Sequence, residues 1–281
     1  MASHDLTWEH ISDFQAHLRR EDRSPGTVEK YVRDVGGLRC WLDGRAVDRE
    51  VVTAWRDHLL SRGYAPVTVN SMLAACNSLF RFLGWEDCRV RFLKIQRRVF
   101  RAPERELTSG EYQRLLQTAR RDGKERLELL MESICACGIR ASEVRYLTVE
   151  AVRRKRADVS LKGKIRTILI PAKLCRKLLD YAKKQKIASG EIFLTRNGTG
   201  MNRKQIWAAM KSLCEKAGVA ASKVFPHNLR HLFARTFYTA SRDIAKLADV
   251  LGHSSIETTR IYLLSSGNEH ARQMEQLGLI L

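Results

Sequence analysis

Along residues 8–83 apolar side chains return every three or four positions, and a chain with that period can bury them only as amphipathic helices. Trp8, Ile11, Phe14 and Leu18 form one stripe. Val28, Tyr31, Val32, Val35, Leu38 and Trp41 form the next, behind Ser24-Pro25, an N-cap followed by proline at the first helical position. Val51, Val52, Trp55, Leu59 and Leu60 predict a third helix, and Val69, Met72, Leu73, Cys76, Leu79, Phe80 and Leu83 a fourth that opens near Pro66. The period therefore predicts a small all-helical domain over residues 1–87, with its aromatic rings in the core.

A basic run follows: CRVRFLKIQRRVFR, residues 88–101, holds Arg89, Arg91, Lys94, Arg97, Arg98 and Arg101 with no acid. Residues 88–106 read as an interdomain linker and 107–281 as a second domain. Thr108-Ser109-Gly110-Glu111 is a capping box that starts its first helix. Leu127, Leu130, Met131 and Ile134 mark another helix, stopped by Gly138. The period then changes. Val159, Leu161, Ile165, Thr167, Ile168 and Ile170, interrupted by Lys162-Gly163-Lys164, predict a β-hairpin tipped with lysine. Further helices are expected at 172–187, 203–217, 228–241, 243–251, 256–264 and 268–277, with a short strand at Ile192–Leu194. The fold class is mainly α with one small hairpin, in two domains: a helical one and a mixed α+β one.

Charge narrows the partner. Fifty Lys plus Arg against 31 Asp plus Glu give +19, of which the first hundred residues hold +3 and residues 153–223 hold +15. Such an excess calls for a polyanion, nucleic acid first, and residues 153–223 read as a phosphate-facing wall. A membrane is disfavoured: no run approaches the ~18 apolar residues of a span, and MASHDLTWEH lacks the pattern of a signal peptide. Seven scattered cysteines with apolar neighbours suit buried free thiols in a reducing compartment, so the expected location is cytoplasmic. Cys135 and Cys137 read as packing, and no Cys-x-x-Cys supports zinc.

The chemistry gathers in the last third. HNLRHLFA sets His227 and Arg230 one turn apart, LGHSSIETTRIY sets His253 after a glycine with Tyr262 nine residues on, and CGIRASEVRYL supplies Arg140 with Glu143 one turn beyond. Two guanidiniums can clamp the non-bridging oxygens of a phosphodiester and offset charge in the transition state. A tyrosine exposed beside them is a plausible nucleophile, because a phenol needs a cationic surround or a base to attack near neutral pH. His227 and His231 are spaced for zinc but lack a third ligand nearby, so His231 reads as structural.

Arg140 in GIRASE, the lysine-tipped hairpin LKGKIR, His227-x-x-Arg230, His253 in LGHSS and Tyr262 in ETTRIY together resemble, in order and spacing, the signatures of tyrosine recombinases, close to compact Xer-type and integrase members. The resemblance spans the chain, with the helical segment similar to a core-binding domain and residues 107–281 to a catalytic domain, the pair closing on DNA as a clamp. It implies that Arg140 and Arg230 bind the scissile phosphate, that His227 assists in acid/base work, that His253 hydrogen-bonds the phosphate and that Tyr262 attacks phosphorus. The products would be a 3′-phosphotyrosine link and a 5′-hydroxyl. Lys162 would be the general acid, with Lys164 the alternative because the family commonly has Gly-Lys-Gly where this chain has Leu161-Lys162-Gly163-Lys164. Glu143 would partner an active-site cation.

The scheme needs no metal and no cofactor, since guanidiniums and a lysine neutralise the charge that Mg²⁺ handles elsewhere. The expected partner is double-stranded DNA with a specific recombination site, contacted by Lys94, Arg97, Arg98, Lys164, Arg203 and Lys204. The resemblance further implies a homotetramer on two sites, a dimer per site, with the apolar tail Leu277–Leu281 docking on a neighbouring subunit. No arm-binding domain precedes the helical segment, which favours a Xer-like resolvase or a small mobile-element integrase. A type IB topoisomerase, which would relax DNA alone, and a non-catalytic DNA-binding protein are the alternatives; a nuclease would need grouped metal-binding carboxylates.

Overall fold

Four helices form where the apolar stripes fall, in the first of two compact units, Met1–Arg97 and Arg98–Leu281. The computed structural model describes residues 4–95, 105–161, 164–262 and 275–276. In the first unit α1 (Trp8–Arg20), α2 (Pro25–Leu42), α3 (Arg49–Ser61) and α4 (Pro66–Leu83) enclose one core, centred on Phe14, Leu38, Trp55, Leu73 and Phe80. The expected cap is present: Ser24 Oγ accepts from the Thr27 amide ahead of Pro25. Trp8 departs from its stripe and is exposed, lying over Gly36.

Residues 88–95, read as the start of a linker, pack on this unit. Cys88 and Val90 are buried in its core. Two asparagines of α4 hold the segment down, Asn77 pairing with both backbone groups of Val90 and Asn70 with both of Leu93, at 2.8–3.1 Å. Lys94 is exposed there; Arg97 and Arg98 lie outside the described residues.

In the second unit the predicted capping box opens α5 (Ser109–Arg121), with the Thr108 amide donating to Glu111 Oε2 at 2.8 Å and the Glu111 amide to Thr108 Oγ1 at 3.2 Å. Helix α6 (Glu125–Cys137) ends at Gly138 with φ +60°. A 3₁₀ turn over Ala141–Tyr146 and α7 (Val149–Arg153) lead into the hairpin. Its strands β1 (Arg156–Leu161) and β2 (Lys164–Leu169) pair antiparallel from Arg156↔Leu169 to Leu161↔Lys164, burying Ala157, Val159 and Ile168 and exposing Ile165 and Leu169. Lys162 lies outside the described residues.

Helix α8 (Ala172–Lys184) follows. The expected strand at 192–194 does not form: Ile192 and Phe193 are buried, but the segment is tied only by the single bridges Thr148↔Glu191 and Leu194↔Gly200, too short to build a ladder. The expected helix 203–217 is broken into α9 (Arg203–Lys211) and α10 (Cys214–Ala217), where Ser212 Oγ bonds back to the Ala209 carbonyl. Helices α11 (Pro226–Ser241), α12 (Ile244–Leu251) and α13 (Ile256–Arg260) complete the unit. Most of the expected helix 268–277, and the tail Leu277–Leu281, lie outside the described residues.

The basic stretch 153–223 is not a single phosphate-facing wall. Lys177, Lys184, Lys216 and Lys223 pair with Glu132, Glu125, Asp122 and Glu111 at 2.6–2.8 Å, so part of its charge is neutralised within the unit.

Candidate active site

The site is assembled from the C-terminal ends of α6, α12 and α13 and from α11. Gly138 adopts the left-handed conformation that ends α6, and a Cβ there would stand 2.4 Å from the Phe233 ring, so only glycine fits. Two residues on, Arg140 caps the 3₁₀ turn: its amide donates to Glu143 Oε2 and its Nη1 to Glu143 Oε1, both at 2.8 Å. Glu143 is buried, and it faces two further guanidiniums, Arg166 Nη2 at 3.6 Å and Arg230 Nη1 at 4.0 Å.

Arg230 is wholly buried on α11. Its Nη1 donates to the Gly138 carbonyl, and its Nη2 reaches the Leu251 carbonyl at 2.8 Å and His253 Nε2 at 2.9 Å. These carbonyls end α6 and α12, where orphan acceptors and the helix dipole favour a cation. Burial pushes the Arg230 guanidinium down to about 10, Arg140 adds to the shift, and the Tyr262 side chain, hydrogen-bonded to it, opposes it.

His253 follows Gly252, the left-handed cap of α12. A guanidinium only donates, so His253 Nε2 accepts from Arg230 and the ring proton sits on Nδ1, which donates to Thr259 Oγ1 at 2.8 Å. Burial lowers the His253 pKa to about 4, with Arg230, Arg140 and Arg166 pushing the same way against Glu143. The imidazole is neutral in the free protein.

Tyr262 is 7% exposed. Its ring lies 4.2 Å from that of His231, 5.3 Å from those of His227 and His253, and 5.8 Å from the Arg230 guanidinium carbon. Ala234, Leu247 and Leu251 form the apolar floor behind it. His231 meets His227 edge-to-face at 4.7 Å.

Arg140, His227, Arg230, His253 and Tyr262 are thus brought together. Arg203 and Lys204 open α9 at the surface, behind an Asn202–Gln205 capping box, and Lys164 opens β2. Arg166, a third guanidinium on Glu143, escaped the sequence reading, while His231, read as structural, is the face against which Tyr262 rests. Arg166 was signalled by its place two residues before Ile168, on the inward face of β2.

Comparison with known proteins bears on both units. Residues 105–269 match the model of the phage integrase family, and residues 11–87 match the phage integrase N-terminal SAM-like domain. The chain is 26% identical to tyrosine recombinase XerA of Pyrococcus furiosus over 289 residues, covering 100% of this chain and 98% of that protein. It is 30% identical to tyrosine recombinase XerC of Roseiflexus castenholzii, covering 90% of this chain and 88% of the relative.

Among solved structures, XerH site-specific recombinase bound to difH substrate aligns with a TM-score of 0.70 at 17% identity, over 95% of this chain and 84% of that one. A lambda integrase dimer bound to a COC′ core site aligns at 0.74 with 16% identity, over 93% and 95%. At these identities the structures establish the fold, while the family models and full-length relatives carry the activity: the chain belongs to the phage integrase family and is a site-specific tyrosine recombinase.

Proposed function

We propose that Tyr262 is the nucleophile of a metal-independent strand transfer in duplex DNA, and that the surrounding cations bind the scissile phosphate. The phenolic oxygen attacks phosphorus, the bond from phosphorus to the 5′ oxygen breaks, and the strand is held as a 3′-phosphotyrosine. His227 takes the phenolic proton and Lys162 protonates the departing 5′ oxygen, with Lys164 the alternative donor. Arg140 and Arg230 hold the non-bridging oxygens. An arriving phosphate oxygen competes with His253 Nε2 for the Arg230 Nη2 proton. Its negative charge favours a protonated His253, which then donates from Nε2 while Nδ1 keeps Thr259. Energy conserved in the phosphotyrosine bond lets a 5′-hydroxyl from another strand reseal the break without a nucleotide.

The observation that carries this reading is the packing of Tyr262 within one cluster of Arg230, His227 and His253, beside a buried carboxylate that three guanidiniums share. Relatives solved on a core site and on a Holliday junction, the latter as a tetramer, support a specific duplex site as partner and a four-way junction as intermediate. In this reading the chain acts in the cytoplasm as a homotetramer on two sites, with residues 1–87 as the core-binding domain, 88–106 as a linker whose first residues, 88–95, pack on that domain, and 107–281 as catalytic domain. Exposed Lys94, Arg203 and Lys204, together with Arg97, Arg98 and Lys164, supply phosphate contacts.

A nicked duplex that loses its 5′ end after cleavage tests the chemistry. With a sequence selected by the wild type from a random pool, wild type should form an SDS-stable adduct in EDTA and Tyr262→Phe none. An adduct from Tyr262→Phe, or none from wild type on its own site, overturns the reading. Relaxation of a plasmid carrying one site, without recombination between two, would favour a topoisomerase.

A further inference from the structure

Arg166 is the cation that the reaction scheme leaves without a task. It sits on the inward face of β2, on the side of buried Ile168, while Ile165 and Leu169 point outward. An arginine on the core side of a strand is costly unless its donors are used. Its Nη1 donates to the Leu251 carbonyl, the same oxygen that Arg230 Nη2 binds. Its Nη2 faces Glu143, while Nη2 and Nε make no hydrogen bond in their buried setting. Burial lowers the Arg166 pKa and Arg140 adds to that, with Glu143 opposing.

Room for this side chain comes from Gly252, whose φ is +64°. A Cβ built there would stand 2.2 Å from Arg166 Cδ and 3.1 Å from its Nε and Nη1. Glycine at that position therefore serves two ends: it ends α12 and it admits Arg166 beneath the turn that carries His253. The Leu251–Gly252–His253 turn is gripped by two guanidiniums, Arg230 from α11 and Arg166 from β2, and both refer it to Glu143.

We propose that Arg166 is a positioning residue for strand cleavage, which locks the Leu251–Gly252–His253 turn against Glu143 so that His253 and Arg230 hold their geometry when the phosphate arrives. The inference rests on the reading in which Arg230 and His253 act on the scissile phosphate. Arg166 does not touch the DNA, so its removal slows the chemical step and spares binding.

The test measures the rate of adduct formation at saturating protein on the nicked, pool-selected duplex, beside DNA affinity and melting temperature. Arg166→Met should slow the adduct about 100-fold, the scale of a misplaced catalytic group, with affinity within a few-fold of wild type. Arg166→Lys, which keeps the charge and one donor for Leu251, should recover about ten-fold of that loss. Gly252→Ala, which displaces Arg166 while leaving it in the chain, should slow the step as well. Adding it to Arg166→Met should cost far less than the product of the two effects, because both act through one contact.

A wild-type rate in Arg166→Met overturns the inference, and so does a loss that tracks affinity or melting temperature. Should Arg166→Met not fold, the pair Arg166→Lys and Gly252→Ala decides, and wild-type rates in both overturn it. Wild type forming no adduct overturns the underlying reading as well. Wild type forming it while the Arg166 variants match its rate overturns this inference alone.

Discussion

Each unit of the chain buries a carboxylate among cations, and the two arrangements differ in where the positive charge ends. In the N-terminal unit Asp34 accepts from Lys30 Nζ at 2.5 Å and from Arg33 Nη2 at 3.1 Å, and those two cationic side chains are 34% and 74% exposed. Water carries what the carboxylate does not neutralise, and Lys30 also donates to the Ser71 carbonyl, tying α2 to α4. In the catalytic unit Glu143 serves Arg140, Arg166 and Arg230, of which the last two are 11% and 0% exposed.

One carboxylate cannot neutralise three guanidiniums, and buried cations without counter-charge are costly. The N-terminal cations are largely in water, whereas the catalytic unit holds more buried positive charge than its carboxylate neutralises. Burial of charge is common to both; its imbalance distinguishes the site.

The sharpest way to break this contrast is Arg230→Lys. The substitution preserves the charge but offers one ammonium where a planar fork meets the Gly138 and Leu251 carbonyls and His253. If the fork is built for the transition state, adduct formation should fall about 1000-fold, the upper range for losing a preorganised donor, while duplex affinity stays close to wild type. A fall of only a few-fold would mean that charge alone suffices and that the geometry around Glu143 is structural.

The helices of both units were legible because their period is local: each stripe, the Ser24 and Thr108 caps and the Gly138 stop can be read within a few residues. The order of Arg140, His227, Arg230, His253 and Tyr262 was legible for the same reason. What was not legible depends on distant segments. Tyr262 is buried because rings from α11 and the α12–α13 turn close around it, which no spacing reveals. Lys177 and Lys223 counted as free positive charge, yet their acids lie 45 and 112 residues away in sequence. Arg166 was within reach. Period-two alternation puts it on the same face of the strand as Ile168 and Ile170, but the lysines at the hairpin tip drew the chemistry toward themselves.

Asp34→Asn probes the other side of the contrast. Removing its charge frees Lys30 and Arg33 to solvent, so the cost is that of a partly exposed ion pair with its hydrogen bonds, about 1–2 kcal/mol of unfolding free energy. Denaturant unfolding of the full chain measures that loss. The rate of adduct formation at saturating protein should not change, because the cations around Asp34 are solvated rather than buried. A slowed chemical step would show that the N-terminal carboxylate also serves the reaction and would erase the difference between the two carboxylates.

The smallest expected effect concerns pH. His253 has its pKa lowered from 6.5 to about 4, through burial first and then Arg230, Arg140 and Arg166. A group whose folded-state pKa is depressed contributes stability that is complete above its unfolded pKa. That contribution is lost as the pH falls toward the folded value, since only the unfolded chain then gains the proton. The catalytic unit should therefore lose stability between pH 6.5 and about 4 on account of this ring. Replacing it by His253→Gln removes the titration while leaving an amide to meet Arg230 or Thr259. The melting-temperature advantage of wild type over His253→Gln should be constant above pH 6.5 and shrink below it. The change should be about 2 °C, a value reduced for the partial exposure of the ring. A pH-independent gap would mean that the imidazole does not feel the three guanidiniums, and the excess positive charge that sets this site apart from Asp34 would then be screened rather than held in store for a phosphate.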